Sequence, residues 1–100
     1  MYTVRKRIEI SASQNLHGHN WIIVVWCRAK QLNDDGMVVD FTHIKQKIQE
    51  QLDHRNLNEV LSFNTTAENM ARWICEQVPA CFKVMVQESE NNIAWYEKGK

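Results

Sequence analysis

Apolar residues change their spacing twice along this 100-residue chain, and that change constrains the fold more than any single motif does. Apolar and polar residues alternate over residues 3–11, which predicts a strand, and the β-branched and aromatic run of residues 21–26 predicts a second strand from about residue 19 to residue 32. Over residues 42–52 the spacing becomes three and four residues, which predicts an amphipathic helix. Strand-like patterns return over residues 83–89 and 93–96.

A second helix is expected to begin near Thr66. Thr65 and Glu68 have the spacing of a capping box, apolar residues recur at helical intervals as far as Val78, and Pro79 cannot continue a helix. The sequence therefore predicts two helices between two pairs of strands.

Turn residues divide the remaining segments. Asn33–Gly36 is a turn cluster, after which Met37–Val39 is expected to resume extended structure, and Asn91-Asn92 is expected to form a hairpin turn. The predicted order is β-β-α-α-β-β, an α+β fold in which an antiparallel sheet carries two helices on one face. Residues 1–100 are expected to form one domain.

Charge and cysteine content exclude several classes of function. Twelve basic and twelve acidic residues balance, so we expect neither a nucleic-acid partner nor a membrane surface. No apolar run approaches the ~18 residues that span a bilayer, and no apolar stretch follows the charged N-terminus as in a signal peptide. The three cysteines lack CxxC spacing and indicate reduced thiols in the cytoplasm.

The triplet His17-Gly18-His19 is a candidate metal motif at the start of a predicted strand. Side chains two residues apart on a strand share a face, so both imidazoles can reach one ion. Zinc sites normally take three or four protein ligands, so the triplet alone is also compatible with two solvated histidines.

Five segments, in order along nearly the whole chain, resemble the 6-pyruvoyltetrahydropterin synthases and the related bacterial 6-carboxytetrahydropterin synthases. The resemblance implies the tunnelling fold, or T-fold, in which trimers close a twelve-stranded barrel and often pair into hexamers. In NTTAEN, Thr65 replaces the family's usual proline. The segments are HGHNW (17–21), GMVVDF (36–41), LDHRNLN (52–58), NTTAEN (64–69) and QES (87–89).

The resemblance implies a zinc ion held by three histidines, of which two correspond to His17 and His19. Gln14 stands where the third is expected, and an amide oxygen is a weak zinc ligand, so weak or partial occupancy is expected. The family's proton-transferring cysteine has no equivalent in the short segment that joins Gln14 to His17.

The resemblance also assigns Asp53 and His54 as a catalytic pair, Glu88 as the anchor of the pterin ring, and Thr66 as a further substrate contact. Each assignment has a simpler alternative from the residues alone. His54 can cap a helix C-terminus, Glu88 can be a surface carboxylate, and Thr66 can simply begin a helix.

Two functions from different classes follow from these residues. One is a metal-assisted lyase acting on dihydroneopterin or its triphosphate, with retro-aldol cleavage as a variant that does not require the thiol. The other is a non-catalytic pterin-binding or assembly homologue. In either case we expect a homo-oligomer, a trimer or hexamer, because an open four-stranded sheet leaves two edges to protect.

Overall fold

A computed structural model describes residues 1–15 and 17–99. The strands form one antiparallel sheet in the order β1-β2-β3-β4, which confirms the predicted α+β T-fold architecture. Leu16, part of the short segment predicted between Gln14 and His17, lies outside the described residues. The elements are β1 (Tyr2–Gln14), β2 (His17–Ala29), α1 (Phe41–Leu52), α2 (Leu57–Val60), α3 (Ala67–Gln77), β3 (Cys81–Ser89) and β4 (Asn92–Glu97).

The prediction that Met37–Val39 resumes extended structure is wrong. The Asn33 side-chain oxygen accepts hydrogen bonds of 3.0 Å from the backbone N–H groups of Asp35 and Met37, and the Asn33 N–H donates to the Met37 carbonyl at 2.9 Å. These local bonds use backbone groups that a strand would offer to a neighbour, so the segment forms a turn followed by bends.

Other element boundaries also differ from the prediction, and β2 spans residues 17–29 rather than about 19–32. The N-cap of α3 is Thr66, whose Oγ1 accepts a 3.1 Å hydrogen bond from the Asn69 N–H, whereas Thr65 is buried. The hairpin turn lies one residue earlier than predicted, because Asn92 already pairs with Ser89 as the first residue of β4. The short helix α2 was not predicted.

The helices cover one face of the sheet, with α3 packed on β3 and β4 and with α1 and α2 beside β1. Alternate strand residues on this face are buried, such as Ile10 on β1 and Trp21 on β2. Their registers place Gln14, His17 and His19 on the same face, and Glu88 beside Trp21. The same alternation of side chains that forms the core therefore places these polar side chains at one end of the core.

Within the described residues, two strand edges have no neighbouring strand: the outer edge of β4 and that of β1 over residues 2–10. Near its end, β1 is covered by residues 53–56. The His54 N–H donates to the Ser11 carbonyl at 2.5 Å, and the Ser13 N–H donates to the Arg55 carbonyl at 2.9 Å. Among residues 1–15 and 17–99, no helix has the length and apolar character needed to cross a membrane.

Candidate functional site

A cleft of about 730 Å³ opens at the end of the sheet where β3 finishes and β4 begins. Glu88 lies in its wall, Gln14 contributes from β1, and Thr66 and Ala67 contribute from the first turn of α3. Residues 91–95 form the side of the cleft that adjoins the open edge of the sheet. The cleft is predominantly polar and has the size of a small-molecule site.

The Glu88 carboxylate and the His19 imidazole meet in this region, with Nε2 of His19 at 3.4 Å from Oε1 of Glu88. The side chains are 26% and 22% exposed, respectively. The His19 ring lies edge-on to the fully buried Trp21, with ring centroids 5.6 Å apart. Trp21 is itself fixed, because its indole N–H donates to the Ala12 carbonyl at 3.3 Å.

Gln14 connects the β1–β2 hairpin to the segment before α3, because its side-chain Nε2 donates to the Thr65 carbonyl. His17 lies opposite Gln14 in the sheet and is exposed. The residue expected to supply a third metal ligand is thus engaged in a hydrogen bond with the backbone of the cleft wall.

The donor set does not fit a zinc centre of three protein ligands. His17 and His19 provide two imidazoles on one face, but the described residues contain no group of three histidine, cysteine, aspartate or glutamate side chains that could hold an ion. The hydrogen bond from Gln14 Nε2 to the Thr65 carbonyl fixes the side-chain amide, and its oxygen is a weak zinc ligand.

Asp53 and His54 directly follow α1, and His54 lines a separate recess of about 300 Å³ together with Ser11 and Gly18. Asp53 Oδ1 accepts a 2.7 Å hydrogen bond from the Ser11 N–H, and its Oδ2 lies 3.6 Å from Nε2 of His54. His54 has a left-handed backbone, with φ of 58°, and its side chain is 83% exposed.

The single chain therefore groups the predicted site residues in two places. Gln14, Thr66 and Glu88 line the cleft, with His19 in contact with Glu88, whereas His54 lines the other recess and Asp53 lies against His54.

Asn58 supports the wall of the cleft, and sequence reasoning missed this role. Its side-chain oxygen accepts a 2.6 Å hydrogen bond from the Asn15 N–H, and its Nδ2 donates to Oγ1 of the buried Thr65 at 3.4 Å. Asn58 thus joins the β1–β2 hairpin to the segment before α3, as Gln14 does. Its position as the last residue of the LDHRNLN segment was the available signal.

Comparisons with known proteins agree with this architecture. The family model for 6-pyruvoyl tetrahydropterin synthase matches residues 3–99. The structure of the Caenorhabditis elegans 6-pyruvoyl tetrahydropterin synthase superposes with a TM-score of 0.77 at 24% identity, covering 98% of this chain and 96% of that one.

Two curated proteins are similar to this chain in sequence. The 6-pyruvoyl tetrahydrobiopterin synthase of Dictyostelium discoideum is 33% identical over 95 residues, covering 82% of this chain and 70% of the relative. The dihydroneopterin monophosphate aldolase of Pyrococcus furiosus is 35% identical over 74 residues, covering 71% of this chain and 62% of the relative. With the matched family model and the shared fold, these similarities show that the chain belongs to the 6-pyruvoyl tetrahydropterin synthase family.

Proposed function

We propose that this protein binds a reduced pterin of the dihydroneopterin type and cleaves its side chain as a lyase. The observation that carries the proposal is the placement of the Glu88 carboxylate, largely buried, in a cleft that also contains the start of α3. A carboxylate can accept two parallel hydrogen bonds from the 2-amino group and N3 of a pterin. Thr66, at the same cleft, is proposed as a further contact.

The topology supports a complete site formed between two protomers of a trimer. The β1 and β4 strands are the outer strands of the sheet, and β1 ends where β4 begins. If β4 of one protomer pairs with β1 of the next, the cleft beside β4 faces the segment that covers the end of β1. His54 of one protomer then lies next to Glu88 of its neighbour. The same pairing protects both open edges, and two such trimers could form a hexamer.

Asp53 and His54 suit proton transfer in such a site. The Asp53 carboxylate can orient the imidazole, which accepts and returns a proton near neutral pH. In a retro-aldol cleavage the imidazole removes the proton of a side-chain hydroxyl, and the neighbouring carbon–carbon bond breaks. The bonding electron pair moves towards the pterin ring, a carbonyl product leaves, and the carbon left on the pterin takes up a proton.

Retro-aldol cleavage fits these residues better than the synthase reaction that the family resemblance first implies. Only Asn15 and Leu16 separate Gln14 from His17, so the chain has no cysteine at the position of the family's proton-transferring thiol. The similarity to a relative named as an aldolase favours the same reaction class.

For the metal, we propose weak or partial zinc occupancy at His17 and His19. Two imidazoles make an incomplete zinc centre, and Gln14 is engaged with Thr65. The proton transfer described above uses only side chains of the chain itself.

A non-catalytic pterin-binding homologue is the second candidate. The exposure of His54 and its separation from the Glu88 cleft within one chain favour this alternative. Incubation with 7,8-dihydroneopterin and its mono- and triphosphates, with binding followed by calorimetry and products by mass spectrometry, tests both. Binding with cleavage supports the lyase, binding without cleavage supports the second candidate, and the absence of binding rejects both.

A further inference from the structure

We propose that His19, although it belongs to a histidine pair that resembles a metal motif, acts in this chain as a positioning residue for the Glu88 carboxylate. The inference rests on the proposed pterin site and deepens it. It assigns to His19 a direct contact with the pterin anchor that does not depend on occupancy of the proposed weak zinc site.

The first support is the chain of contacts that ends at Glu88. Trp21 is fully buried and bonded to the Ala12 carbonyl, its ring lies edge-on to His19, and the Nε2 atom of His19 lies 3.4 Å from Glu88 Oε1. A rigid aromatic residue therefore holds the imidazole at one side, and the imidazole holds one carboxylate oxygen at the other. A side chain ordered before the ligand arrives loses less conformational entropy on binding.

The second support is the difference between the two histidines. His17 is exposed and lies opposite Gln14, whereas His19 is largely covered and reaches Glu88. In a metal centre a ring nitrogen of each imidazole would be directed at one ion. Here their surroundings differ, and only His19 is linked to the pterin-binding carboxylate among the described ion pairs.

The third support is the position of Gln14. Its amide donates to the Thr65 carbonyl and so connects the hairpin to the segment that leads into α3, which forms another part of the cleft wall. Two of the three positions that the family resemblance assigns to zinc thus hold the wall of the cleft through polar contacts with protein groups.

The test compares His19→Ala and His19→Gln with the control His43→Ala, which changes an exposed histidine on α1, by calorimetric titration with neopterin, with and without a chelator. His19→Ala should weaken binding about tenfold, because Glu88 loses a close polar contact that orients its carboxylate. His19→Gln should recover most of that loss because its amide can donate to Glu88, and His43→Ala should bind like the wild type. A chelator should leave wild-type binding unchanged.

Loss of wild-type binding in the chelator would overturn the inference in favour of a metal centre. So would unchanged binding by His19→Ala. Imidazole nitrogen NMR tests the contact without a pterin: Glu88→Gln should shift the Nε2 signal of His19 and leave that of His17 in place. Failure of the wild type to bind neopterin would reject the proposed function, whereas an unshifted His19 signal would reject the positioning contact itself.

Discussion

The Asp53 carboxylate accepts a 2.7 Å hydrogen bond from the Ser11 backbone N–H, so the C-cap residue of α1 also holds the edge of β1. His54 adds a second link, because its own N–H donates to the Ser11 carbonyl. The location of the candidate catalytic imidazole is therefore set by the strand edge. In the proposed assembly this is the edge that the next protomer approaches.

Replacement of Asp53 by alanine should lower the free energy of unfolding by about 1–2 kcal/mol, because the Ser11 N–H loses its charged acceptor. Asp53→Asn keeps an acceptor oxygen, so its free energy of unfolding should fall by less. Urea unfolding at one fixed protein concentration measures the difference. Asp34→Ala, on the exposed turn after β2, is the control and should stay within about 0.5 kcal/mol of the wild type. Equal effects of Asp53→Ala and Asp34→Ala would contradict the role assigned to Asp53.

Replacement of Glu88 by alanine should weaken neopterin binding on the order of a hundredfold, since two charge-assisted hydrogen bonds would be lost. Glu88→Gln should also bind weakly, because its amide cannot accept both bonds. Glu90→Ala, in the exposed turn before β4, should leave binding unchanged. Calorimetry measures the neopterin dissociation constant of each of the three variants. Wild-type affinity in Glu88→Ala would show that another residue anchors the pterin.

The order of strands and helices could be predicted because the same alternation of apolar residues that marks a strand also builds the core. The conformation of Met37–Val39 could not be predicted in the same way. It depends on the hydrogen bonds of the Asn33 side chain rather than on the hydrophobic pattern. Two adjacent threonines made the cap of α3 ambiguous, and the structure selects Thr66.

The candidate site could be predicted only as a set of residues. The resemblance named His19 and Glu88, but their contact depends on the register of β2 with β3, which places Glu88 beside Trp21. The partner of Gln14 is 51 residues away in sequence, and no local pattern identifies such a pair. The division of the site between two recesses is likewise a property of the tertiary structure.

The assembly should be built of trimers, because both outer strands have open edges in the described chain. Light scattering at micromolar concentration should therefore give a mass of about 35 kDa or twice that value, from a protomer of 11.8 kDa. A monodisperse species near 11.8 kDa under these conditions would be inconsistent with edge pairing between protomers.

Replacement of Gln14 by histidine should raise zinc affinity at least tenfold, because imidazole is a better zinc ligand than an amide oxygen. It should not create synthase activity, since the proton-transferring thiol is still absent. Gln14→Ala is the matched control, because it also removes the bond to Thr65 without adding a ligand. The measurement is a zinc titration paired with a turnover assay. Tight stoichiometric zinc and rapid synthase turnover in the unmodified protein would refute the proposed weak site.

The buried thiols should make stability depend on alkaline pH. Burial raises the pKa of the Cys75 thiol from an ordinary value of 9.0 to about 12, and its hydrogen bonding with Cys81 adds to the shift. Because the unfolded thiol ionises first, this contribution to stability is complete below pH 9.0 and is lost as the pH rises towards about 12. Between about pH 8 and about pH 10, Cys75→Ala should lose less unfolding free energy than the wild type does. Parallel losses in the two proteins would contradict this assignment.

The central claim is a pterin lyase site that combines Glu88 of one protomer with His54 of the next, and subunit mixing tests it most directly. Glu88→Ala and His54→Ala should each fail to cleave dihydroneopterin. After the two variants are unfolded together and refolded at equal concentration, about a quarter of the sites in a random cyclic assembly should carry both intact residues, so about a quarter of wild-type turnover should return. The wild type, refolded in the same way, should regain full turnover. If it does so and the mixture stays as inactive as the separate variants, the shared site is contradicted. A wild type without turnover would contradict the lyase itself.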